Sequence, residues 1–427
     1  MRLALPFGSP TPGTSFRWLL WSDALTLLAM MVGQVALPWW IAQSGGAHDL
    51  AVYGVVVSAM SIVTLPLLSP FADRHPKRSL IVVGLLGFAL ATSAMATAAS
   101  LAHYRLPLVL AIAALSVLAD ALVLPAVSSI VTELVPPAGL TRALGLQQTA
   151  QSTGRLIGPA MAGAVLAAVG TAPTLWLGAL LLLAAAAVAT RLPRSQPSPG
   201  LGAVRRWSTE FRTGMRVNWA IPMERGWVLC NFVAAIVLIP CATMLVPLKV
   251  QSLGLSAAWL GWCEAGLSLG MLIGSLGVAE RWARLQGRFA TRFTGAMVTG
   301  LAFAVAGWTT DRHVLVGSFV VAGLCNAATT LVGKTHRMLA RPLAFRARMT
   351  AASIMTTQLS QTVGPAVAGV ALASASVRGV YLMFGLLSAA SALGLFLIPG
   401  FREFMALDHD EVDNWYGRRY PQVFEAA

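Results

Sequence analysis

The sequence predicts an all-α membrane protein of twelve transmembrane helices in two pseudo-symmetric six-helix bundles. Three observations carry this reading. Hydrophobic residues make up 57% of the chain and charged residues only 11%, a balance foreign to soluble domains. Apolar runs of about 20 residues, the length that crosses a bilayer as a helix, fill almost the whole chain. The stretch Gly154-Arg155-Leu156-Ile157-Gly158-Pro159-Ala160-Met161-Ala162-Gly163 returns at an offset of 206 as Ser360-Gln361-Thr362-Val363-Gly364-Pro365-Ala366-Val367-Ala368-Gly369. A repeat at half the chain length marks two copies of one unit.

In chain order, residues 1–16 are rich in Pro, Gly, Ser and Thr and read as a cytoplasmic N-terminal segment. The apolar run that follows is too long for a signal-peptide core, so it stays as the first helix. Spans are expected near 17–42, 50–72, 79–100, 106–132, 142–168 and 173–191, which together form an N-terminal bundle, 17–191. A second set near 226–250, 257–279, 289–309, 313–334, 348–374 and 378–399 forms a C-terminal bundle, 226–399. The linker 192–225 carries Trp207, Phe211 and Met215 four apart among Arg205, Arg206, Arg212 and Arg216. That pattern is either an amphipathic helix on the inner membrane surface or a solvated basic linker. Residues 400–427 form a cytoplasmic tail to which the sequence assigns no role.

The net charge of +14 follows from topology rather than from a nucleic-acid partner. Of the 30 Lys and Arg residues, Arg105, Lys249, Arg312 and Arg378 fall on one side and Arg155 falls within a span. All the others lie on the side shared by the two termini, which places both termini in the cytoplasm. The setting is a bacterial-type inner membrane. Cys230, Cys241, Cys263 and Cys325 lie singly in apolar runs and read as small hydrophobes, not disulfides or metal ligands. Gly333-Lys334-Thr335 lacks the upstream glycine of a phosphate loop, and no nucleophile with a base in reach is legible. Neither an enzyme nor a metal or cofactor site is expected.

Gly154, Gly158 and Ala162 share one helix face and permit close helix approach. Pro159 cannot bond to the carbonyl of Arg155, and Pro365 does the same to Gln361, so both helices kink there. With Gly163, Gly364 and Gly369 the two copies describe either simple packing or a moving interface. Gly266, Gly270 and Gly274 repeat the four-residue spacing on span eight. They are expected to pack on the Gly154, Gly158, Ala162 face across the bundle boundary.

Four ionisable residues lie within spans: Asp23, Asp120, Arg155 and Glu264. Each costs about 2.5–3.5 kcal/mol at the bilayer centre on insertion scales, so their presence points to function. Asp120 and Arg155 fall near mid-span and are expected to pair, with Asp120 titrating and Arg155 as its switchable partner; a static ion pair is the alternative. Asp23 either couples protons or faces water, and Glu264 is a gate residue or a substrate contact. Gln34, Gln148, Gln151, Asn231, Asn326, Gln358 and Gln361 are the polar candidates for a substrate cavity. Between spans two and three, Asp73, Arg74, Lys77 and Arg78 can latch helix ends, and Glu280 and Arg281 stand at the corresponding place in the second half.

These last motifs resemble the major facilitator superfamily over essentially residues 17–399. The family's loop pattern, Gly-x-x-x-Asp-Arg-x-Gly-basic-basic, is matched at Asp73, Arg74, Lys77 and Arg78, with Ser69 and Pro76 in place of the glycines. The exporters' fifth-helix pattern, Gly-x-x-x-Gly-Pro-x-x-Gly-Gly, is matched at Gly154, Gly158, Pro159 and Gly163, with Ala162 for the first paired glycine. Leu118-Ala119-Asp120-Ala121, Pro125-Ala126 and Leu134-Val135-Pro136 are similar to the branch of enterobactin-type siderophore exporters and macrolide efflux pumps. The arginine the family carries in helix four is absent. The resemblance implies alternating-access, proton-coupled export of a small amphipathic molecule, a siderophore or a drug, by a monomer in contact with membrane lipids. The alternatives are a lysolipid or lipid flippase on the same fold and a transport-inactive sensor or scaffold.

Overall fold

The computed structural model describes residues 13–135, 137–193 and 203–425. The first half is six helices: α1 (Thr14–Ser44), α2 (Gly46–Arg74), α3 (Lys77–Ser100), α4 (Leu106–Leu134), α5 (Pro137–Val169) and α6 (Thr171–Ala189). The linker forms α7 (Ala203–Ala220). The second half runs through α8 (Pro222–Ala242), α9 (Leu245–Ser252), α10 (Ala257–Ile273), α11 (Ala279–Gln286), α12 (Arg288–Trp308), α13 (Arg312–Ala340), α14 (Leu343–Ser374) and α15 (Val377–Ser391). Four short helices finish the tail: α16 (Phe401–Ala406), α17 (His409–Val412), α18 (Trp415–Arg419) and α19 (Pro421–Glu425).

Among the described residues, eleven helical segments are long and apolar enough to cross a membrane. Two of them are composite: α8 continues into α9, and α10 into α11. The 32-residue α14 has the length but not the apolar density, because Thr356, Thr357, Gln358, Ser360, Gln361 and Thr362 load its middle. It packs beside α2 and α8, consistent with a twelfth crossing. α1, α4, α5, α8 and α14 each carry a proline inside the helix, which removes one backbone donor and frees the carbonyl four residues earlier. Near Pro240, at the end of α8, Tyr381 donates its hydroxyl to the carbonyl of Cys241. The α10 crossing breaks at Gly274–Val278, where Gly277 adopts φ +97°, and α11 leaves at a new angle.

The buried apolar residues sort into one shared and two separate clusters. The shared cluster draws on both halves at the face away from the termini, with Val35, Trp40, Leu50, Leu245, Leu260, Phe319 and Tyr381. Nearer the termini each half has its own: Phe16, Leu80, Ile130 and Leu182 in the first, and Ile221, Trp227, Phe401 and Tyr416 in the second. The halves are therefore joined at the far face and parted at the face that carries the termini. The molecule is a wedge open toward its termini.

The joint is built from the repeated motif, but not from the face that the glycine spacing suggests. Gly154 and Gly158 lie against Leu27 and Met31 of α1, and a Cβ on Gly158 would stand 2.7 Å from Met31. Gly266, Gly270 and Gly274 lie against α13, at Val316, Val320, Leu324 and Ala327. The expected contact between these two sets does not form. The next residue round the helix makes it instead: Pro159 and Gly163 of α5 meet Gly261 and Ala257 of α10, with a Gly163 Cβ position 2.8 Å from the Gly261 Cα. A step of one residue turns a helix by roughly 100°, enough to exchange an intra-bundle face for an inter-bundle one. The second copy repeats the arrangement, with Pro365 against Gly54 (3.0 Å) and Gly369 against Ala51 (2.5 Å).

Candidate functional site

A cavity of about 460 Å³ lies where the halves diverge. Met30, Met31, Gln34 and Pro38 of α1 form one wall, Tyr53, Val57, Ser58 and Ser61 of α2 a second, and Ser116 and Asp120 of α4 a third. The second half closes it with Ile239, Thr243, Met244, Gln361 and Pro365. Gln361 is oriented by donating its side-chain amide to Gln358 at 2.7 Å. Asp120 stands among apolar and hydroxyl groups, and its carboxylate has no ion pair or hydrogen bond among the described residues.

The expected Asp120–Arg155 pair does not form. α5 packs against α1 and α10 rather than along α4, so the two mid-span positions do not meet. Arg155 is exposed on the face of α5 that carries Pro159 and Gly163, one and two turns nearer the termini than those contacts. Glu264 lies three residues past Gly261 on α10, half-buried, and lines neither cavity described here. Asp23 is satisfied otherwise: Gln147 and Gln151 of α5 both donate to its Oδ2, each at 3.1 Å. Gln151 is thus a clamp between α1 and α5 rather than a cavity residue, and Gln148 faces away, 3.5 Å from the Ser152 hydroxyl.

A second cavity of about 560 Å³ opens inside the second half and adjoins the first at Ile239, which lines both. Asn231 and Asn326 line it, among apolar groups from Trp227, Phe232, Leu238, Ile354 and Leu395. Its end nearest the termini is basic, with Arg292, Lys334, Arg337 and Arg341. Glu224, fully buried, answers two of these. Arg337 donates to its Oε2 from Nε (2.8 Å) and from its terminal nitrogen (2.6 Å), and Arg341 donates from Nε to Oε1 at 3.0 Å. Two guanidiniums lie over the Trp227 ring, that of Arg292 at 4.9 Å and that of Arg337 at 5.2 Å from its centroid.

This network escapes a reading of the sequence alone. Glu224 falls just before the expected start of its span, and Arg292 merges with the basic loop residues. The available signal was Arg337 and Arg341 at i,i+4 with one acid at the head of an apolar run. The loop motifs behave differently in the two halves. Lys77 pairs with Glu133, joining the start of α3 to the end of α4, and Arg78 is half-buried beside it. Asp73 and Arg74 lie outside the described side chains. Glu280 does not reach the other half: it pairs at 2.5 Å with Arg284 on its own turn, both largely exposed, and Arg281 is exposed next to it.

At the far face a side-chain bond joins the halves beside the motif, and other side chains brace each half within itself. Gln251, in the last turn of α9, donates to the carbonyl of Trp39 at 3.0 Å. Tyr104 donates to Asp49 at 2.8 Å and meets Trp40 edge-on, and burial together with the Asp49 charge pushes the Tyr104 hydroxyl well above its ordinary pKa. Lys249, almost fully buried, donates to the carbonyl of Gly307 at 2.7 Å.

A two-half helical wedge with a cavity at its apex is the architecture of an alternating-access membrane transporter. The family model for the Major Facilitator Superfamily matches residues 19–333, and the chain belongs to that superfamily, whose members are transporters rather than enzymes. The chain is 24% identical to the multidrug efflux pump Tap of Mycolicibacterium fortuitum over 279 residues, 64% of this chain and 68% of that protein. Solved structures share the fold. The nucleoside transporter NupG aligns with a TM-score of 0.71 at 14% identity, covering 90% of this chain and 99% of its own. The peptide transporter POT in complex with sulfate gives 0.68 at 17%, covering 94% and 97%. A bacterial homologue of the human lysosomal transporter Spinster, inward-facing and unoccupied, gives 0.63 at 15%, covering 92% and 96%.

Proposed function

We propose that this transporter is a proton-coupled exporter of a small amphipathic molecule in a bacterial inner membrane, with both termini cytoplasmic. The observation that carries the reading is Asp120, a carboxylate without a bonded partner among the described residues, on the wall of a cavity that both halves enclose. A carboxyl group in that position gains or loses its proton as rocking of the halves changes its contact with water. The wedge open toward the termini is the loading state, in which the substrate enters from the cytoplasm. Met30, Met31, Tyr53 and Ile239 offer an adaptable apolar surface, while Gln34 and Gln361 supply amide contacts. Similarity to a multidrug efflux pump supports export and a drug-like cargo; a siderophore fits the same combination of amide and apolar groups. Arg155 has no part in the coupling step as proposed here, since it stands apart from Asp120.

The test is proton movement in sealed vesicles that contain the purified chain, with drugs and siderophores added in turn. Substrate-dependent proton flux should vanish in Asp120→Asn and survive in Asp23→Asn, whose carboxylate serves the α1–α5 clamp. Substrate movement with no proton flux would replace this reading with a uniporter or lipid flippase.

A further inference from the structure

We infer that the cavity inside the second half is a binding site for an anionic amphiphile, with its carboxylate or phosphate at the basic end and its apolar body along Phe232, Leu238 and Ile354. The inference deepens the proposed function by naming the charge of the cargo, and in that respect rests on it. The site itself stands on charge and burial. Four cations converge on the cavity, and the carboxylate found with them, Glu224, has both oxygens engaged by Arg337 and Arg341.

Arg292 and Lys334 are left without a carboxylate among the described residues. Arg292 is only 5% exposed. It donates to two neutral acceptors, the Thr329 carbonyl and the Asn231 side chain, each at 2.9 Å. Its Nε is buried with no partner among the described residues. A buried guanidinium with a vacant donor and surplus positive charge beside it is stabilised by an anion, and charge-assisted bonds to such a group are among the stronger ones available. Lys334, exposed at the same wall, supplies a second point charge to the headgroup. The apolar walls beyond the basic end, which adjoin the central cavity at Ile239, favour an anion that carries a hydrocarbon or aromatic body over a free ion. The arrangement disfavours a cationic amphiphile.

The experiment measures binding to the purified full chain in phosphatidylcholine nanodiscs, with dodecyl phosphate as probe and dodecyltrimethylammonium and inorganic phosphate beside it. Dodecyl phosphate should bind saturably and weaken as salt rises. Loss of one charge-assisted contact should cost about tenfold or more in affinity, in Lys334→Ala and again in Arg292→Gln. Lys334→Ala removes no bond among the described residues, so it reads the site even if Arg292→Gln folds poorly. Arg284→Ala, remote from the cavity, should bind as the parent does. Equal binding in the parent and in Lys334→Ala, or equal binding of the quaternary ammonium, would overturn the inference. Inorganic phosphate that binds as tightly as dodecyl phosphate would overturn its amphiphile part and assign the site to a free anion. Binding in a chain that moves no protons would leave this site standing while the coupling reading falls; Asp120-dependent flux without dodecyl phosphate binding would do the reverse.

Discussion

A single carboxylate, Glu224, anchors two guanidiniums at the termini-bearing end of the second half, and its removal leaves both buried and unanswered. Breaking such a pair costs about 3–5 kcal/mol, much of it from the stranded charge. Glu224→Gln should therefore lower the melting temperature of the purified protein sharply, whereas Glu280→Gln, whose ion-pair partner Arg284 is exposed, should leave it unchanged. At the opposite face Asp311 caps α13 by accepting the amide hydrogens of His313 (2.8 Å) and Val314 (2.9 Å), which hold its carboxyl below the ordinary carboxylate range. A depressed folded-state pKa contributes stability above the unfolded value and loses it as pH falls through the folded one. Asp311→Ala should flatten that part of the acid limb in a stability profile against pH. At this scale the sequence was only partly legible. It identified Asp23, Asp120, Arg155 and Glu264 as residues that a membrane helix must have a reason to keep. It misjudged the pairing of Asp120 with Arg155, because spacing along α4 and α5 says nothing about which of their faces meet. Asp23 finds amides from Gln147 and Gln151, the latter assigned on polarity alone to a cavity.

At the scale of elements, α5 and α14 form a symmetric pair at the boundary between the bundles. Each turns a glycine toward its own bundle, Gly158 on α1 and Gly364 on α8, and the next face toward the other bundle, Gly163 on α10 and Gly369 on α2. The repeat at offset 206 makes this symmetry legible in the residues themselves. The rotation of roughly 100° that decides which glycine crosses the boundary is not legible there, because it depends on how each helix is turned in its bundle. Gly163→Val places a branched side chain against the Gly261 backbone, and overpacking of this kind costs about 1–3 kcal/mol in the conformer that suffers it. The variant should favour the state open at the far face, read as faster thiol labelling of a cysteine introduced at Gln251. Gly369→Val should do the same by symmetry. The tail is a further element whose role was not legible, since its aromatics fit a lipid interface equally well. In the structure Phe401 and Phe404 meet Trp227 edge-on, Tyr416 is fully buried, and the Asn414 amide donates to the Leu339 carbonyl at 3.0 Å. Deleting residues 401–427 should make the second half more sensitive to limited proteolysis than the first.

For the whole molecule, the buried clusters define a mechanical statement. With one shared core at the far face and a separate core in each half nearer the termini, the proposed rocking would break the first and bring the other two together. The small contacts at Pro159–Gly261 and Gly54–Pro365 let that happen with little side-chain repacking. The fold class, the two-bundle arrangement and the superfamily were readable from hydropathy, the repeat and the loop motif. The state of the wedge was not, because the same sequence must support both openings.

Distances across the two faces test the central claim most directly. Spin labels at Thr171 and Ser256 report the far face, and labels at Arg142 and Arg284 report the face with the termini. Under a proton gradient with substrate, alternating access predicts a second population in which the first distance lengthens while the second shortens, in the same fraction of molecules. A single unchanged distance across both faces, in protein that transports at full rate, would contradict it.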